Sequence, residues 1–238
     1  MKAPVSEARE GGDFKIVSQG VHIAVYETFA YLGEQPKSWA GESWMAPECW
    51  LRWAVMDEFN DEGVPLAIHA FPYTFNMGVK ANLRKVIEAS FGKPFPSDQA
   101  AGEFDFKKLL GCTCQISVTH TQHKTKTKED GSPMVYAHIN SWMPLPKTQT
   151  LADGQVIEIP RPDISKVELI YYDEENQTQF DKLPQWIRKK INTAGSPGRP
   201  DYKPVQSGDY TGRDFTSQPP NEDKAGNIPD YDDSDIPF

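Results

Sequence analysis

The chain lacks the features that mark secreted and membrane-spanning proteins. It has three cysteines among 238 residues, Cys49, Cys112 and Cys114, so disulfide pairing would leave one thiol over. No apolar run approaches the ~18 residues of a spanning helix, and none resembles the apolar core of a signal peptide. We therefore expect a cytoplasmic protein with reduced thiols and no membrane partner.

Catalytic motifs are also lacking. No Ser-His-Asp spacing and no phosphate-binding loop stands out among the 238 residues. We therefore expect a protein that is not an enzyme and binds no cofactor. One alternative stays open, because the acidic groups Asp57-Glu58 and Asp173-Glu174-Glu175 could hold Mg²⁺ for a nuclease, although acids in turns are usually solvated.

A zinc site is disfavoured by spacing. Cys112, Cys114, His120 and His123 have the side chains that zinc prefers. Cys112 and His120 are about 26 Å apart if they lie on one straight strand, at ~3.3 Å per residue. Such a strand cannot bring them to one ion, so we expect no metal.

Aliphatic residues are nearly absent from the C-terminal part of the chain. Apolar residues make up 38% of the whole, and residues 196–238 contain seven prolines and four glycines. These residues carry four bases against nine acids, a net charge of −5, which leaves −4 of the total −9 for the rest. We predict a flexible N-terminus (1–13), one folded domain (14–195) and a disordered acidic tail (196–238).

Alternating apolar and polar residues predict a mainly β domain. The main strands are predicted at 21–26, 49–56, 65–75, 112–120 and 133–142, with short extra strands at 155–159 and 167–172. Helical spacing predicts helices at 78–91, 104–110 and 180–191, and the connections 28–47 and 121–131 are predicted as loops. Five strands with a helical insert between strands 3 and 4, followed by a C-terminal helix, is the order of an OB-fold barrel.

Aromatic and basic residues fall where an OB-fold binds oligonucleotides. Stacking on bases and contact with phosphates are expected from two loops and three strands, namely from Trp39, Trp44, Arg52, Trp53, Phe71, Tyr73, Lys124, Lys126, Lys128 and Tyr136. Trp53 and Phe71 alternate with apolar residues, so a place in the core stays open for both. Trp39 and Trp44 could equally form a lid on the core.

The chain ends in an acidic run beside a short apolar segment. The residues concerned are Asp232, Asp233, Asp235, Ile236, Pro237 and Phe238. Burying unpaired carboxylates in the chain's own domain would cost several kcal/mol, whereas a basic pocket on a partner would stabilise them. We interpret the tip as a docking peptide.

Three segments of the domain resemble one known family. Phe104-Asp105-Phe106-Lys107-Lys108-Leu109-Leu110-Gly111-Cys112, Val118-Thr119-His120 and Phe180-Asp181-Lys182-Leu183-Pro184-Gln185-Trp186-Ile187 look like segments of the single-stranded DNA-binding proteins of tailed bacteriophages. The resemblance covers about residues 14–194 and implies an OB-fold that binds single-stranded DNA.

The tip is similar to a second group. Asp232-Asp233-Ser234-Asp235-Ile236-Pro237-Phe238 resembles the acidic tip with which bacterial single-stranded DNA-binding proteins recruit replication and repair enzymes. The resemblance implies that Phe238 fills an apolar pocket of a partner and that the three aspartates meet its basic rim. Ser234 interrupts the acidic run and should weaken that contact slightly.

Composition and resemblance together give one expectation. The chain is expected to be a sequence-independent single-stranded DNA-binding protein of phage replication or recombination, acting in the host cytoplasm. Its partners would be single-stranded DNA and the replication or repair proteins that dock on its tip. A magnesium-dependent nuclease and an adaptor protein that does not bind DNA are the alternatives.

Overall fold

The computed structural model describes residues 15–40, 42–128, 131–150 and 153–194. The predicted N-terminal segment 1–13 and the acidic tail 196–238, with its docking residues Asp232, Asp233, Asp235, Ile236, Pro237 and Phe238, lie outside these ranges. The strands are β1 Gly20–Trp39, β2 Glu42–Phe59, β3 Pro65–His69, β4 Tyr73–Thr74, β5 Thr113–Thr127, β6 Pro133–Pro144, β7 Thr148–Thr150, β8 Val156–Glu158 and β9 Ile170–Tyr172. The helices are α1 Asn82–Phe91, α2 Asp98–Gly102 and α3 Gln185–Thr193, with 3-10 turns at Phe106–Leu109 and Phe180–Lys182.

The main sheet has the strand order β3-β2-β1-β5-β6, and these five strands pair antiparallel. β4 adds to β2, and β9 pairs with β1 in parallel, while β7 and β8 form a separate hairpin. The mainly β fold and the helical insert before β5 are therefore confirmed.

The predicted five-stranded barrel differs from the observed sheet, which has seven strands and is not closed. β3 and β6 contact each other, but within the described ranges no ladder of hydrogen bonds joins them. β3 is five residues long and is followed by Pro72, which has no amide hydrogen to donate to a neighbouring strand. We call this open junction between β3 and β6 the seam.

The connection 28–47, predicted as a loop, is instead the outer half of a long β1–β2 hairpin. Its register pairs Lys37 with Trp44 and Trp39 with Glu42. The pairing shifts between Tyr26 and Thr28 and again between Tyr31 and Gly33. Each shift is a bulge that bends the strand and exchanges its faces, so simple alternation is lost.

The main core lies on the inner face of the sheet. Cys49, Leu51, Trp53 and Val55 of β2 alternate into it and are fully buried, and Leu83 and Ile87 of α1 pack on the same cluster. α1 therefore covers the inner face of the sheet. It ends at Gly92, whose positive φ of 67° and whose close approach to Pro144 leave no room for a side chain.

A second core lies on the opposite face of β1 and β2. Leu32 and Trp50 pack there against Ile170 of β9 and Ile187 of α3. α3 therefore lies on the outer side of the sheet, next to the surface on which the candidate site is found.

Candidate nucleic-acid interface

A row of aromatic rings crosses the outer face of the sheet at the seam. The Phe71 and His138 rings have centroids 6.4 Å apart and lie nearly parallel, at 22°. His138 is 6.4 Å from Tyr136, and Tyr136 is 5.8 Å from His123. We call Phe71, His138, Tyr136 and His123 the ring row.

The alternation of side chains along β6 determines which face its rings point to. Val135, Ala137 and Ile139 occupy the alternate positions of β6. Ala137 and Ile139 pack against the main core. Tyr136 and His138 therefore point outward. Phe71 follows β3, and 65% of its surface is exposed, so its ring is accessible to a ligand.

Lysines stand at one end of the ring row. β5 and β6 form a hairpin in which Lys124 and Lys128 are exposed and Lys126 is half-buried. The Lys128 amide donates to the Ser132 carbonyl at 2.7 Å and closes the turn. The segment 121–131, predicted as a loop, is thus largely strand, since β5 runs to Thr127. The lysines consequently lie on the β5–β6 hairpin beside His123, where the strand register shifts between Gln122 and Thr127.

Arg52 lies on the same outer face but is already paired. It is opposite His69 in the β2–β3 register, and its Nε is 3.2 Å from Glu27 Oε2. Burial raises the pKa of the Glu27 carboxyl, while the charge of Arg52 acts in the opposite direction. The guanidinium therefore adds little net positive charge to this face.

Burial lowers the pKa of two histidines on this face. The pKa of His138 is lowered by burial and then by the charge of His120. The pKa of His69 is lowered by burial and by the charges of Arg52 and His138, against a hydrogen bond with the Ala70 carbonyl that raises it.

Of the predicted stacking residues, Trp53 lies in the core and Tyr73 packs against it. Trp53 is fully buried, with its ring 5.1 Å from Tyr26 and 5.8 Å from Trp142. Tyr73 packs against the same core, and burial raises the pKa of its hydroxyl. The Trp53 ring has no exposed face on which a base could stack, and the Tyr73 ring is partly buried, so we leave both out of the interface.

The loop tryptophans are distant from the ring row. Trp44 is half-buried opposite Lys37, and it lies six residues from Trp50 along β2, about 20 Å at ~3.3 Å per residue. For Trp39 the structure gives only its position in β1, paired with Glu42. These two residues belong to the far end of the β1–β2 hairpin.

The β1–β2 hairpin is tied to α3 by a buried carboxylate. Glu48 is 2% exposed and pairs with Lys37, while Lys190 Nζ of α3 is 2.9 Å from Glu48 Oε2. Two ammonium groups on one carboxylate satisfy the charge of Glu48, and they hold α3 against the outer face.

Sequence reasoning missed His69, His138 and Trp186, which also lie on the outer face. His69 lies between Trp50 and Trp186, with ring centroids 5.5 and 5.4 Å away. His138 could have been found from the sequence, because it is two residues from the nominated Tyr136 in an alternating strand. The contact of Trp186 with His69 depends on how α3 folds back, which no local pattern signals.

The alternative metal sites bring few ligands together. Within the described ranges, no group of three or more His, Cys, Asp or Glu side chains could hold a metal ion. Burial raises the pKa of the Cys114 thiol to about 12, which disfavours the thiolate that zinc needs. Asp57 Oδ2 contacts His22 at 3.2 Å, and Glu58 accepts hydrogen bonds from Ser18, so both acids have structural partners.

Comparison with protein-family models and with curated proteins finds no match for this chain. Among the residues that the structure describes, no helix combines the length and the apolar character needed to cross a membrane.

Proposed function

We propose that this protein binds single-stranded DNA without sequence preference and without catalysis, in phage DNA replication or recombination. The observation that carries the proposal is the ring row across the seam, with exposed Phe71 at one end and the lysine hairpin at the other. Aromatic faces stack on any base, at about 1–3 kcal/mol each, and lysines contact phosphates.

The strand order supports an OB-fold body. An OB-fold is a partly open five-stranded barrel that binds oligonucleotides on strands 2 and 3 and on two loops. The order β3-β2-β1-β5-β6, with helices before β5 and with β3 next to β6 across the seam, supports such a body with the barrel left open. In this proposal the ring row and the β5–β6 hairpin form the surface that binds the oligonucleotide.

The acidic tip supplies the second half of the proposal. Asp232, Asp233 and Asp235 beside Ile236-Pro237-Phe238 suit a partner pocket with a basic rim and an apolar floor. Replication and repair proteins recruited in this way would be brought to the DNA that the body protects, in the host cytoplasm.

Titration of labelled poly-dT at two salt concentrations tests the proposal. Binding at low salt that weakens as salt rises is expected, because bound phosphates release counterions. An absence of binding at low salt, or binding that ignores salt, would contradict the proposed function. Double-stranded DNA of the same length is the control and should bind more weakly.

A further inference from the structure

A cavity of about 480 Å³ lies at the end of β5 and β6 that is opposite to the lysine hairpin. Its lining comes from the end of α1, the residues that precede β5, the end of β6 and the segment 161–164. The register pairs Cys114 with Pro144 at this end, ten residues along β5 from Lys124, or about 33 Å at ~3.3 Å per residue. No member of the ring row lines the cavity.

The wall of the cavity is mostly apolar and carries one guanidinium. Phe91, Leu145 and Ile164 supply apolar side chains, and the volume lies within the range that ligand pockets commonly have. Arg161 is exposed, and its Nη1 donates a hydrogen bond to Thr113 Oγ1 at 2.5 Å. Among the described residues no carboxylate forms an ion pair with this guanidinium, so its charge is available to an anionic ligand.

Further bases stand close to the lining residues along the chain. Each is exposed and is within three residues of the cavity lining: Lys93, Lys108, Lys147 and Lys166. The carbonyl of Lys108 accepts a hydrogen bond from Cys112 Sγ at 3.0 Å. The acid nearest to Arg161 in the sequence, Asp163, already accepts hydrogen bonds from the amide and the hydroxyl of Ser165. The rim is therefore predominantly basic.

We propose that the cavity is a docking site for this chain's own acidic tip, with Ile236-Pro237-Phe238 in the apolar part and the three aspartates at the basic rim. The tip combines carboxylates with an apolar segment, which complements the charge and the polarity of the cavity. The carboxylates would stay at the surface beside exposed bases, so the cost of burying unpaired charge does not arise. The inference rests on the docking role proposed for the tip and extends it to the protein's own body.

The length of the connection allows the tip to reach the cavity. The described residues end at Ala194, and the segment 195–230 separates them from the tip. A flexible chain of about 36 residues, as predicted for this segment, spans about 30–36 Å on average. A domain of about 180 residues has a radius of gyration of about 16 Å. Such a connection also gives the tip an effective concentration of up to about 1 mM, so a weak contact is enough for docking within one chain.

Cys112 reports on the cavity, because it lines the cavity and is half-buried, whereas Cys49 and Cys114 are fully buried. The rate at which a thiol reagent modifies Cys112 is measured in the full chain and in the chain without residues 231–238, at low salt and about pH 8.5. The full chain should react at least about twofold more slowly, which corresponds to a tip that is docked half of the time or more. High salt should remove the difference, because it screens the ion contacts.

Three variants assign the protection of Cys112 to the cavity and to the tip. Arg161→Gln should react equally fast with and without residues 231–238, because the tip loses an ionic contact at the cavity. Arg188→Gln removes the same charge from α3, outside the cavity lining, and should keep the protection. Phe238→Ala should react as fast as the deletion variant, because the apolar part of the contact is lost.

The outcomes distinguish the cavity from other places for the tip. Equal rates of the full chain and the deletion variant at low salt overturn the inference. Protection that is lost when Lys124, Lys126 and Lys128 are replaced by alanine, or when poly-dT is added to saturation, places the tip on the DNA surface and also overturns it. Protection that grows with protein concentration assigns the cavity to the tip of a second copy and overturns docking within one chain. The rates without DNA do not depend on DNA binding, so their failure and a failure of the poly-dT titration are separate results.

Discussion

At the scale of single residues, Phe71 and Trp53 show how differently two aromatic side chains of neighbouring segments can be used. Phe71 is 65% exposed and ends the ring row, whereas Trp53 has no exposed surface and is held between Tyr26 and Trp142. Removal of the first should affect binding alone, and removal of the second should affect stability.

Phe71→Ala should weaken binding to poly-dT by about 1–3 kcal/mol, the usual contribution of one stacked base. The melting temperature should stay nearly unchanged, because the side chain is largely in water. Anisotropy titration and thermal unfolding measure the two effects. Phe59→Ala is the control, since Phe59 is also exposed but pairs with Pro65 at the other end of β3. Equal losses in both variants would contradict a specific role for Phe71.

Trp53→Ala should lower the free energy of unfolding by about 3–5 kcal/mol, because a fully buried indole leaves a cavity. Urea denaturation followed by circular dichroism measures the change. An unaltered midpoint would mean that Trp53 is not part of the core.

The sequence held enough information to place Trp53. Arg52 and Trp53 are neighbours in one strand, so they point to opposite faces, and only one of them could join a surface site. Cys49, Leu51 and Val55 share the parity of Trp53 and identify its face as the buried one. Position in the strand order favours both residues, whereas alternation along the strand allows only one of them to reach the surface.

At the scale of elements, the β5–β6 hairpin is the part of the surface where fixed positive charge is concentrated. Lys124, Lys126 and Lys128 follow each other at every second position. Each phosphate contact on a single strand contributes about 0.7 to the slope of log affinity against log salt. The three lysines together can therefore account for a slope of about 2.

Replacing the three hairpin lysines by alanine should weaken binding to poly-dT and reduce the salt slope by up to about 2. Lys85, Lys93 and Lys108, all exposed on or beside the helical insert, supply a control variant with the same loss of charge. The control should keep its slope. Identical slopes in the hairpin variant and the unaltered protein would remove the hairpin from the site.

The helical insert is held together by an ion cluster. Arg84 Nε of α1 donates to Glu88 at 2.8 Å, and its Nη1 donates to Asp98 of α2 at 2.7 Å. These contacts from Arg84, with the Phe95 amide, lower the pKa of the Glu88 carboxyl. The folded state therefore favours ionised Glu88. Its contribution is complete above the unfolded pKa of about 4.3 and is lost as pH falls through the lower folded value.

Glu88→Gln should accordingly lower stability at about pH 7 and leave it nearly unchanged at about pH 3, where the carboxyl is protonated in both states. Chemical denaturation at the two pH values measures the difference. Glu62→Gln, at an exposed turn position, should have little effect at either pH. A loss in Glu88→Gln that is the same at both pH values would contradict an ionic role.

Strand and helix positions were predictable where the pattern was regular. Alternation located the inner parts of the five main strands, and α1 was predicted four residues too long at its start, at Gly78 instead of Asn82. The outer halves of β1 and β2 were missed because bulges near Glu27 and Leu32 break the period. The residues Gly33, Pro36 and Gly41 in that segment are also of types that are typical of loops.

At the scale of the whole molecule, charge is divided unevenly along the chain. Residues 196–238 carry a net charge of −5, close to the −4 of the much longer remainder. An acidic tail can compete with DNA for a basic hairpin on the same molecule. The proposal therefore includes an effect of the tail on DNA affinity as well as its effect on partner binding.

Deletion of the last eight residues, 231–238, should leave the affinity for poly-dT equal or higher and should abolish pull-down of replication or repair proteins. Anisotropy titration and pull-down with purified candidates measure the two effects. Replacing Asp232, Asp233 and Asp235 by asparagine keeps Ile236-Pro237-Phe238 and separates charge from apolar docking. Pull-down that survives the deletion would place the recruiting surface elsewhere.

The seam between β3 and β6 has a consequence for the mechanics of the sheet. A closed ring of strands has a fixed circumference, because every strand is hydrogen-bonded on both sides. The observed sheet resembles a split ring, in which contact across the gap is made by side chains such as Phe71 and His138. A split ring can widen slightly without breaking a main-chain hydrogen bond. Purines and pyrimidines differ in size. If the gap between β3 and β6 adjusts to either base, binding without sequence preference would depend on the flexibility of the sheet as well as on stacking.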